Sequence, residues 1–354
     1  MQAKNKRFQP LVEKGSVLGT IKIVAECNPD NHLAVKIGSQ LDGSTERMVS
    51  DDFIVINPYV SGANISGVDF INKYISIYEA NQENQIINKE MIMLSDQEIV
   101  PAKWDLVWEE LFTSNTIDQK KWNFVEGGWG FGNQELQYYT DREENARIED
   151  GMLILEARKE NYKGMDYTSA KITTKGKVSW KYGRFSIRAK LPEGQGIWPA
   201  IWMMPEDMEC YSGWPACGEI DIMELIGHQP GTVYGTLHYG FPHTYTGENF
   251  TLPNNKKFSE EFHVFTLDWE PDEFRWYVDG VLYARQNRWF SNRDGAEIPY
   301  PKYAPFDREF YLQLNVAVGG KWPGNPNDST YFPQKMVIDC IRVFQKAREG
   351  GRNE

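Results

Sequence analysis

Short segments that alternate apolar and polar residues follow one another through the first hundred residues. Side chains on a β-strand point alternately to the two faces of a sheet, so this pattern predicts half-buried strands. Clusters of Asn, Asp, Gly and Pro separate the segments, which lie at 20–25, 33–37, 53–56, 74–78 and 90–94. Strands at this spacing predict a small all-β sandwich over residues 1–100. We find no catalytic constellation in it, and its lack of tryptophan favours a spacer or docking domain over a sugar-binding module.

Beyond Pro101 the alternating segments are longer and the turns between them are more frequent. The segment 104–108 opens this second domain, and the period of two that predicts strands occurs at 151–157, 182–190 and 262–269. Asp279 and Gly280 interrupt the apolar segment 274–282, and an Asp-Gly pair is the strongest short signal for a hairpin. With no long amphipathic helix and no repeat, two packed antiparallel sheets are predicted for residues 101–347, followed by a tail at 348–354.

Three acids interrupt an apolar segment at 218–224. In a regular strand Glu219 and Asp221 would share one face, and Glu224 would point to the opposite, apolar face. A carboxylate buried there without a partner would be costly. One extra residue in the strand, a β-bulge around 222–223, would return Glu224 to the acidic face, and bulges are frequent beside active sites.

The spacing of the two glutamates limits what chemistry they could perform. With the bulge, the Cα atoms of Glu219 and Glu224 are roughly 13 Å apart. Two side chains that lean together would bring their carboxyl groups to roughly 5 Å, which suits a retaining glycosidase rather than an inverting one. A solvated acidic face or a calcium site would show the same spacing, so the spacing alone leaves these alternatives open.

Composition narrows the range of partners. The formal net charge of −12 argues against nucleic acid and anionic membrane surfaces, because phosphate binding needs clusters of Lys and Arg. The longest apolar runs have the length of strands, so no segment is predicted to span a membrane. All 12 tryptophans lie at or after Trp104, which places a domain boundary near Pro101. Stacking on sugar rings is one use of so much Trp, and a Trp-rich core is the other.

The four cysteines form no dense disulfide framework; they are Cys27, Cys210, Cys217 and Cys340. Cys210 and Cys217 could close a small loop before the acids, and two free buried thiols fit the sequence equally well. The charged segment 1–7 is followed by no apolar run, so it is not predicted to be a secretory signal.

At this point the residues resemble glycoside hydrolase family 16, in its laminarinase-like branch. The Glu-x-Asp-x-x-Glu motif at 219–224 is similar to the signature of that family, and the resemblance extends from about Trp104 to Gln345. Further similar blocks occur in family order at 132–140, 182–185, 197–205, 235–239, 276–280, 319–324 and 338–343. The resemblance implies a concanavalin-like jelly-roll β-sandwich as the catalytic domain, preceded here by the small all-β domain, which we expect to be immunoglobulin-like.

The resemblance also implies a role for each acid. Glu219 would be the nucleophile, Glu224 the general acid and then base, and Asp221 the residue between them. His238 resembles a family histidine placed near the acid/base, and the alternative is a histidine merely satisfied within a sheet. A two-step displacement needs one carboxylate ionised and the other protonated, and crowding of like charges separates the two pKa values.

Other residues are similar to family positions that bind sugar or metal. The implied substrate-binding residues are Asn133, Arg188, Trp198, Trp202 and Trp322. Many family members hold a structural calcium, and Gly151 and Asp339 resemble two of its ligands. Leu111 stands where the family often supplies a glutamate, and two ligands do not establish a site for a hard cation. No cofactor is expected for catalysis.

The implied activity is retaining, endo-acting cleavage of β-1,3-glucosidic bonds in laminarin-type glucan, and also in mixed-linkage β-1,3/1,4-glucan. The alternatives are an agarase or carrageenase of the same family, a transglycosylase, and a β-glucan-binding protein without catalysis. Endo against partly exo action stays open, because the sequence does not fix the loops at the cleft ends. We expect a monomer that acts on a β-glucan polysaccharide or oligosaccharide, outside the cell or on its surface.

Overall fold

The computed structural model describes residues 104–291 and 301–346 in full, and the backbone of seven strands before them. The chain divides into two compact units, Met1–Trp104 and Asp105–Glu354. The predicted segment at 53–56, Cys27 and the predicted tail at 348–354 lie outside the described residues. None of the described helices is long and apolar enough to cross a membrane.

The described strands of the first unit form two antiparallel sheets. Its strands are β1 Leu11–Lys14, β2 Ile21–Val24, β3 His32–Gly38, β4 Arg47–Met48, β5 Ala63–Ile65, β6 Lys73–Ala80 and β7 Ile86–Leu94. The strand orders are β1-β2-β5 and β4-β3-β6-β7. Four predicted segments fall on β2, β3, β6 and β7. The immunoglobulin-like arrangement of this unit stays a prediction.

The second unit is also built of strands. They run in chain order as β8 Trp104–Glu110, β9 Asn123–Phe124, β10 Gln137–Tyr139, β11 Ala146–Glu149, β12 Met152–Tyr162, β13 Met165–Ser169, β14 Lys171–Thr173, β15 Gly183–Lys190 and β16 Ile197–Pro205. They continue as β17 Glu219–Glu224, β18 Thr232–Tyr239, β19 Thr244–Thr251, β20 His263–Glu270, β21 Glu273–Val278, β22 Val281–Gln286, β23 Phe310–Val318 and β24 Gln334–Lys346. Three short 3₁₀ turns lie at Gly130–Gly132, Cys210–Ser212 and Pro253–Asn255.

Two sheets make up this unit. The seven-stranded sheet has the order β19-β18-β17-β16-β23-β14-β9, and we call it the cleft sheet. The ten-stranded outer sheet has the order β10-β13-β12-β24-β15-β20-β21-β22, with β11 beside β12 and β8 beside β24. The prediction of purely antiparallel sheets is wrong at one pair, because β10 and β13 run parallel.

One apolar core joins the two sheets. Phe185 and Ile187 of the outer sheet belong to the same buried cluster as Ile201 and Ile220 of the cleft sheet. Residues that alternate with them therefore face away from the core, as strand geometry requires. The predicted jelly-roll sandwich is confirmed in this unit.

The predicted hairpin at Asp279–Gly280 is confirmed. Val278 pairs with Val281, and the two turn residues between them have φ of 51° and 73°. Two successive residues with positive φ form the tight turn whose twist matches that of the flanking strands. Asp279 also stabilises the turn from its side chain, because its carboxylate accepts a hydrogen bond from the backbone N–H of Val264 at 2.8 Å.

Candidate active site

A cavity of about 910 Å³ lies over the cleft sheet. Its lining includes residues from six neighbouring strands, β14, β23, β16, β17, β18 and β19. Strands in a sheet lie about 4.8 Å apart, so the cavity crosses roughly 24 Å of sheet. It contains all three acids of the 219–224 motif together with His238, Asn133, Trp198, Trp202 and Trp322.

The β-bulge predicted in β17 is present. Asp221 pairs with Thr236 and Glu224 with Tyr234 on one side, so two residues of β17 oppose one residue of β18. On the other side the register with β16 also shifts between Asp221 and residue 223. Ile222 and Met223 both join the buried core, and Glu224 consequently points into the cleft beside Glu219 and Asp221.

Glu219 and Glu224 are each held by a different tryptophan indole. Trp214 Nε1 donates a hydrogen bond to Glu219 Oε2 at 2.7 Å. Trp198 Nε1 donates one to Glu224 Oε1 at 3.0 Å. The two carboxyl groups therefore have separate anchors, and a hydrogen bond to whichever of them is ionised is about twice as strong as one to a neutral acceptor.

Burial and crowding raise the pKa values of both glutamates. Burial raises the pKa of the Glu219 carboxyl to about 7, and the charge of Asp221 adds to the rise. Burial raises the pKa of Glu224 well above its ordinary value, with the charges of Asp221 and Glu219 adding to it. Crowding of these carboxyl groups disfavours a state in which both glutamates are ionised, so one of them can keep a proton while the other is charged.

Asp221 lies between these glutamates and is almost completely buried. Its Oδ2 is 3.4 Å from Nε2 of His238, which stands opposite Glu219 in the neighbouring strand. Burial lowers the pKa of His238, but the contact with Asp221 and the surrounding carboxylates outweigh burial and raise this pKa to about 9. His238 is therefore a cation at neutral pH, and it offsets part of the negative charge in the cleft.

Trp202 lies on the cleft side of β16 and is fixed from two directions. Its Nε1 donates to Asn315 Oδ1 at 2.7 Å, and the Lys171 ammonium lies 4.3 Å from its ring centroid. Burial lowers the pKa of Lys171 to about 8, against the opposing charges of Glu135 and Glu219. A fixed indole face of this kind suits stacking on the apolar face of a pyranose ring.

Asn133 and Trp322 lie at the edge of the cleft. Trp322 is 40% exposed, and its ring meets Trp198 and Tyr234 edge-on, with centroids 5.5 Å and 5.1 Å away. The backbone of Asn133 connects to the same loop, because its carbonyl accepts a hydrogen bond from Lys321 N at 2.9 Å. Both predicted residues are thus on the surface that a bound ligand would contact.

Arg188 does not belong to the cleft, and its predicted role in sugar binding is corrected. It lies on β15 of the outer sheet, where Ile187 and Ala189 fill the core and Arg188 faces the other way. Its guanidinium donates to Asp339 Oδ2 at 2.9 Å and lies over the ring of Phe262.

The predicted calcium ligation by Gly151 and Asp339 stays a prediction. The carboxylate of Asp339 is already paired with Arg188. Glu109 pairs with Arg342 and Glu110 with Lys121, both at 3.2 Å, so neither acid is free to replace the glutamate that Leu111 lacks. A calcium ion at Gly151 and Asp339 would therefore depend on backbone carbonyls and water for most of its oxygen ligands.

The cysteines near the acids are free thiols. Cys210 is half-buried and Cys217 is buried, and they form no disulfide with each other. Burial raises the pKa of both thiols. A buried thiol with a raised pKa is inert, so these residues pack rather than react.

Several cleft residues were not singled out in the sequence. The most consequential are Trp214, Lys171, Glu135 and His243, which line the cavity. Trp214 and His243 lie in loops, where no periodicity shows which way a side chain points. Lys171 had a usable signal, because it interrupts the apolar and small residues of a short buried strand.

Two packed sheets with a pair of glutamates facing one cleft define the class of the protein, a glycoside hydrolase that works with two carboxyl groups. The sequence profile described as Glycosyl hydrolases family 16 matches residues 133–338. The chain belongs to this family.

Relatives of known structure and sequence agree with this placement. A β-glucanase of Rhodothermus marinus is 46% identical over 262 residues, which cover 71% of this chain and 88% of that protein. The catalytic domain of an endo-1,3-β-glucanase (laminarinase) from Thermotoga petrophila RKU-1 is 45% identical and has a TM-score of 0.62, covering 69% of this chain and 99% of that one. The structure of a non-specific endo-β-1,3(4)-glucanase is 40% identical and has a TM-score of 0.60, covering 70% of this chain and 93% of that one.

Proposed function

We propose that this protein is a retaining endo-glucanase that cleaves β-1,3-glucosidic bonds in laminarin-type glucan. One observation carries the proposal: the bulge in β17 turns Glu219 and Glu224 into the same cleft, and each is anchored by a different indole. Burial and mutual repulsion raise the pKa values of both carboxyl groups, which allows one to hold a proton while the other is ionised, as a retaining reaction requires.

In the first step the ionised Glu219 attacks the anomeric carbon of the sugar. Glu224 donates its proton to the glycosidic oxygen, so the C–O bond breaks and the leaving sugar departs as an alcohol. The product is a covalent glycosyl ester on Glu219. The Trp214 N–H, which points at Oε2 of Glu219, helps to orient the attacking carboxylate.

In the second step Glu224, now ionised, takes a proton from water, and the resulting hydroxide oxygen attacks the anomeric carbon. The ester bond to Glu219 breaks, and two inversions give net retention. Glu219 loses its negative charge when it becomes an ester, which lowers the pKa of Glu224 and prepares it to act as a base. Asp221 and the His238 cation keep the charge around the pair nearly balanced throughout.

The cleft supports an endo-acting role on a neutral polymer. It crosses six strands, so several sugar units can lie along it, and aromatic rings line it from Trp129 at one end to Tyr245 on β19. The relatives named as laminarinase and β-1,3(4)-glucanase support β-1,3 linkages first and mixed-linkage glucan second.

The rival functions differ in the products they predict. An agarase or carrageenase would leave laminarin intact, and a transglycosylase would lengthen some of its products. A β-glucan-binding protein would release no sugar, and the presence of both Glu219 and Glu224 supports catalysis over binding alone.

A product profile with anomer analysis tests the proposal. Laminarin, mixed-linkage glucan, agarose and carrageenan are offered separately, and oligosaccharides are expected from the first two. ¹H NMR during hydrolysis should detect the β-anomer first, and an α-anomer appearing first would rule out retention. Glu219→Ser should abolish hydrolysis while laminari-oligosaccharide binding survives, and exposed Glu260→Ser is the matched control that keeps activity.

We propose further that the chain acts as a monomer outside the cell or on its surface. One chain supplies every described wall of the cleft, so the reaction needs no second copy. A polysaccharide is too large to enter a cell unaided. We therefore expect an enzyme that cleaves bonds inside the polymer chain to act outside the cell. Light scattering on the purified chain checks the first point, and fractionation of the source cells checks the second.

A further inference from the structure

His243 lies on the loop between β18 and β19, at the edge of the cleft, and the chemistry above gives it no step. Its Nε2 is 3.0 Å from Nδ1 of His238. The two imidazole rings stack with centroids 5.2 Å apart and 23° between their planes. The ring of His243 also packs against the Trp214 indole, with centroids 4.9 Å apart.

The contact between the two histidines depends on their protonation states. Asp221 Oδ2 is a buried acceptor with no hydrogen-bond donor of good geometry, and His238 Nε2 lies 3.4 Å from it. A His238 cation carries a second N–H on Nδ1, which then needs an acceptor. Neutral His243 offers one at Nε2, and its pKa is lowered by burial and by the charge of His238.

In the free enzyme a water molecule could accept the hydrogen bond from Nδ1–H of His238, because the side chain is 22% exposed. A polymer lying in the cleft displaces that water. A protein acceptor stays in place when the substrate binds, so the histidine pair keeps the cation satisfied at the moment of reaction.

The packing against Trp214 gives His243 a second connection to the acids. Trp214 is 50% exposed, yet it supplies the N–H that holds Glu219. An indole on a loop needs lateral support to keep that N–H aimed at one oxygen. His243 thus reaches Asp221 through His238 and Glu219 through Trp214, with a single side chain between in each case.

We propose that His243 is a positioning residue that accepts a hydrogen bond from the His238 cation and braces the Trp214 indole. Through these two contacts it holds the side chains of Asp221 and Glu219 in the positions that the displacement requires. The proposal rests on the proposed function, since it deepens the account of the same site. Several titratable groups face the histidine pair, namely Asp221, Glu219 and Glu224 from β17 and Tyr245 from β19.

Two variants separate the hydrogen bond from the packing. His243→Phe keeps an aromatic ring against Trp214 but has no acceptor for His238. His243→Gln loses the ring but can place an amide oxygen near the position of Nε2. The pKa of His238 is followed by ¹H–¹³C NMR titration of the five histidines, with the His238→Gln spectrum identifying the signal. Steady-state kinetics on laminarin and melting temperatures are measured on the same samples.

The hydrogen bond predicts that His243→Phe lowers the pKa of His238 by about one pH unit, because the cation loses its acceptor. In the same variant kcat should fall about five- to tenfold with KM within about twofold, since positioning acts on the reacting groups. His243→Gln should restore most of the His238 pKa and part of kcat.

The proposal would be overturned if the pKa of His238 and kcat were unchanged in His243→Phe. It would also be overturned if kcat fell equally in both variants and in proportion to the fall in melting temperature. The NMR titration needs no substrate. If wild type releases no sugar from laminarin, the proposed function fails, while the titration still decides whether His243 holds His238.

Discussion

Replacing Trp214 by phenylalanine should move the acidic limb of the pH–rate profile to higher pH. The substitution keeps an aromatic ring but removes the N–H that donates to Glu219 Oε2 at 2.7 Å. That hydrogen bond favours the ionised carboxylate and lowers its pKa, against the rise caused by burial. Without it the pKa of Glu219 rises further, and the nucleophile is protonated over a wider range of acidic pH.

The size of the effect follows from the strength of the bond. A hydrogen bond to a charged group contributes about 1.5–3 kcal/mol, which corresponds to roughly one to two pH units. Trp214 is 50% exposed, so water replaces part of what is lost. We therefore expect a rise of about 0.5–1 pH unit in the acidic limb.

Trp198→Phe is the matched control, because Trp198 donates to the other carboxyl group, at Glu224 Oε1. Losing this N–H raises the pKa of Glu224 in the same way. Glu224 must be protonated to act as the acid, so here the alkaline limb moves to higher pH and the acidic limb stays. One kind of substitution at two positions should thus shift opposite ends of the profile.

The assay is kcat/KM on a soluble laminari-oligosaccharide from pH 4 to 10, because this ratio reports the ionisations of the free enzyme. The opposite result, in which Trp214→Phe shifts the alkaline limb and Trp198→Phe shifts the acidic limb, would mean that the roles of Glu219 and Glu224 are exchanged. Profiles identical to wild type in both variants would refute the claim that the indoles tune the two carboxyl groups.

Other changes test separate parts of the account. In Glu224→Ala, azide should intercept the glycosyl ester of an activated aryl laminaribioside and give a β-azide by NMR, whereas an α-azide would contradict the covalent intermediate. Glu224→Gln should raise the melting temperature at pH 7 but not at pH 4. A carboxyl group whose pKa rises on folding destabilises the fold above its unfolded pKa, so equal gains at both pH values would refute this cause. Trp322→Ala should raise KM more than it lowers kcat, because Trp322 lies at the rim; a loss confined to kcat would argue for a role in the reaction itself. Because Arg188 already pairs with Asp339, EDTA should leave the melting temperature unchanged by calorimetry, and a drop reversed by calcium would instead support calcium ligation by Asp339 and Gly151.

Strand periodicity predicted those parts of the site that lie on strands. The period of two located the 219–224 strand, and the cost of burying Glu224 required the bulge that the register of β17 confirms. Trp198 and Trp202 came from resemblance, because the period did not decide their faces. The period in fact holds in β16, which pairs with β23 in an unbroken register from Ile197 to Pro205, and both indoles line the cleft. What the period does not show is which of the two faces of the strand looks onto the cleft.

The error at Arg188 has a physical reason in the same rule. Alternation shows that the side chain of Arg188 points to the other face of the strand from Ile187 and Ala189, but it does not show which sheet the strand joins. On the cleft sheet that face would contact sugar; on the outer sheet it meets Asp339. Sheet membership is a long-range property, and one strand carries no local signal for it.

Loop residues escaped prediction for a related reason. Trp214 and His243 lie on different loops, and they matter because their rings pack against each other beside the acids, with centroids 4.9 Å apart. Their conformation depends on contacts between β17, β18 and the loops that flank them. Only the assembled sheet brings these contacts together.

The bulge in β17 links the stability of the fold to its chemistry. A regular strand would place Met223 in the cleft and Glu224 in the core, which would cost both a buried charge and an exposed apolar side chain. The bulge reverses both, because Ile222 and Met223 fill the core while Glu224 reaches the cleft. Deleting Ile222 should therefore damage packing and catalysis together, whereas Glu224→Gln should remove catalysis and leave packing intact. Since Glu224 is expected to destabilise the fold at neutral pH, the sequence keeps this carboxyl group for its reaction rather than for stability.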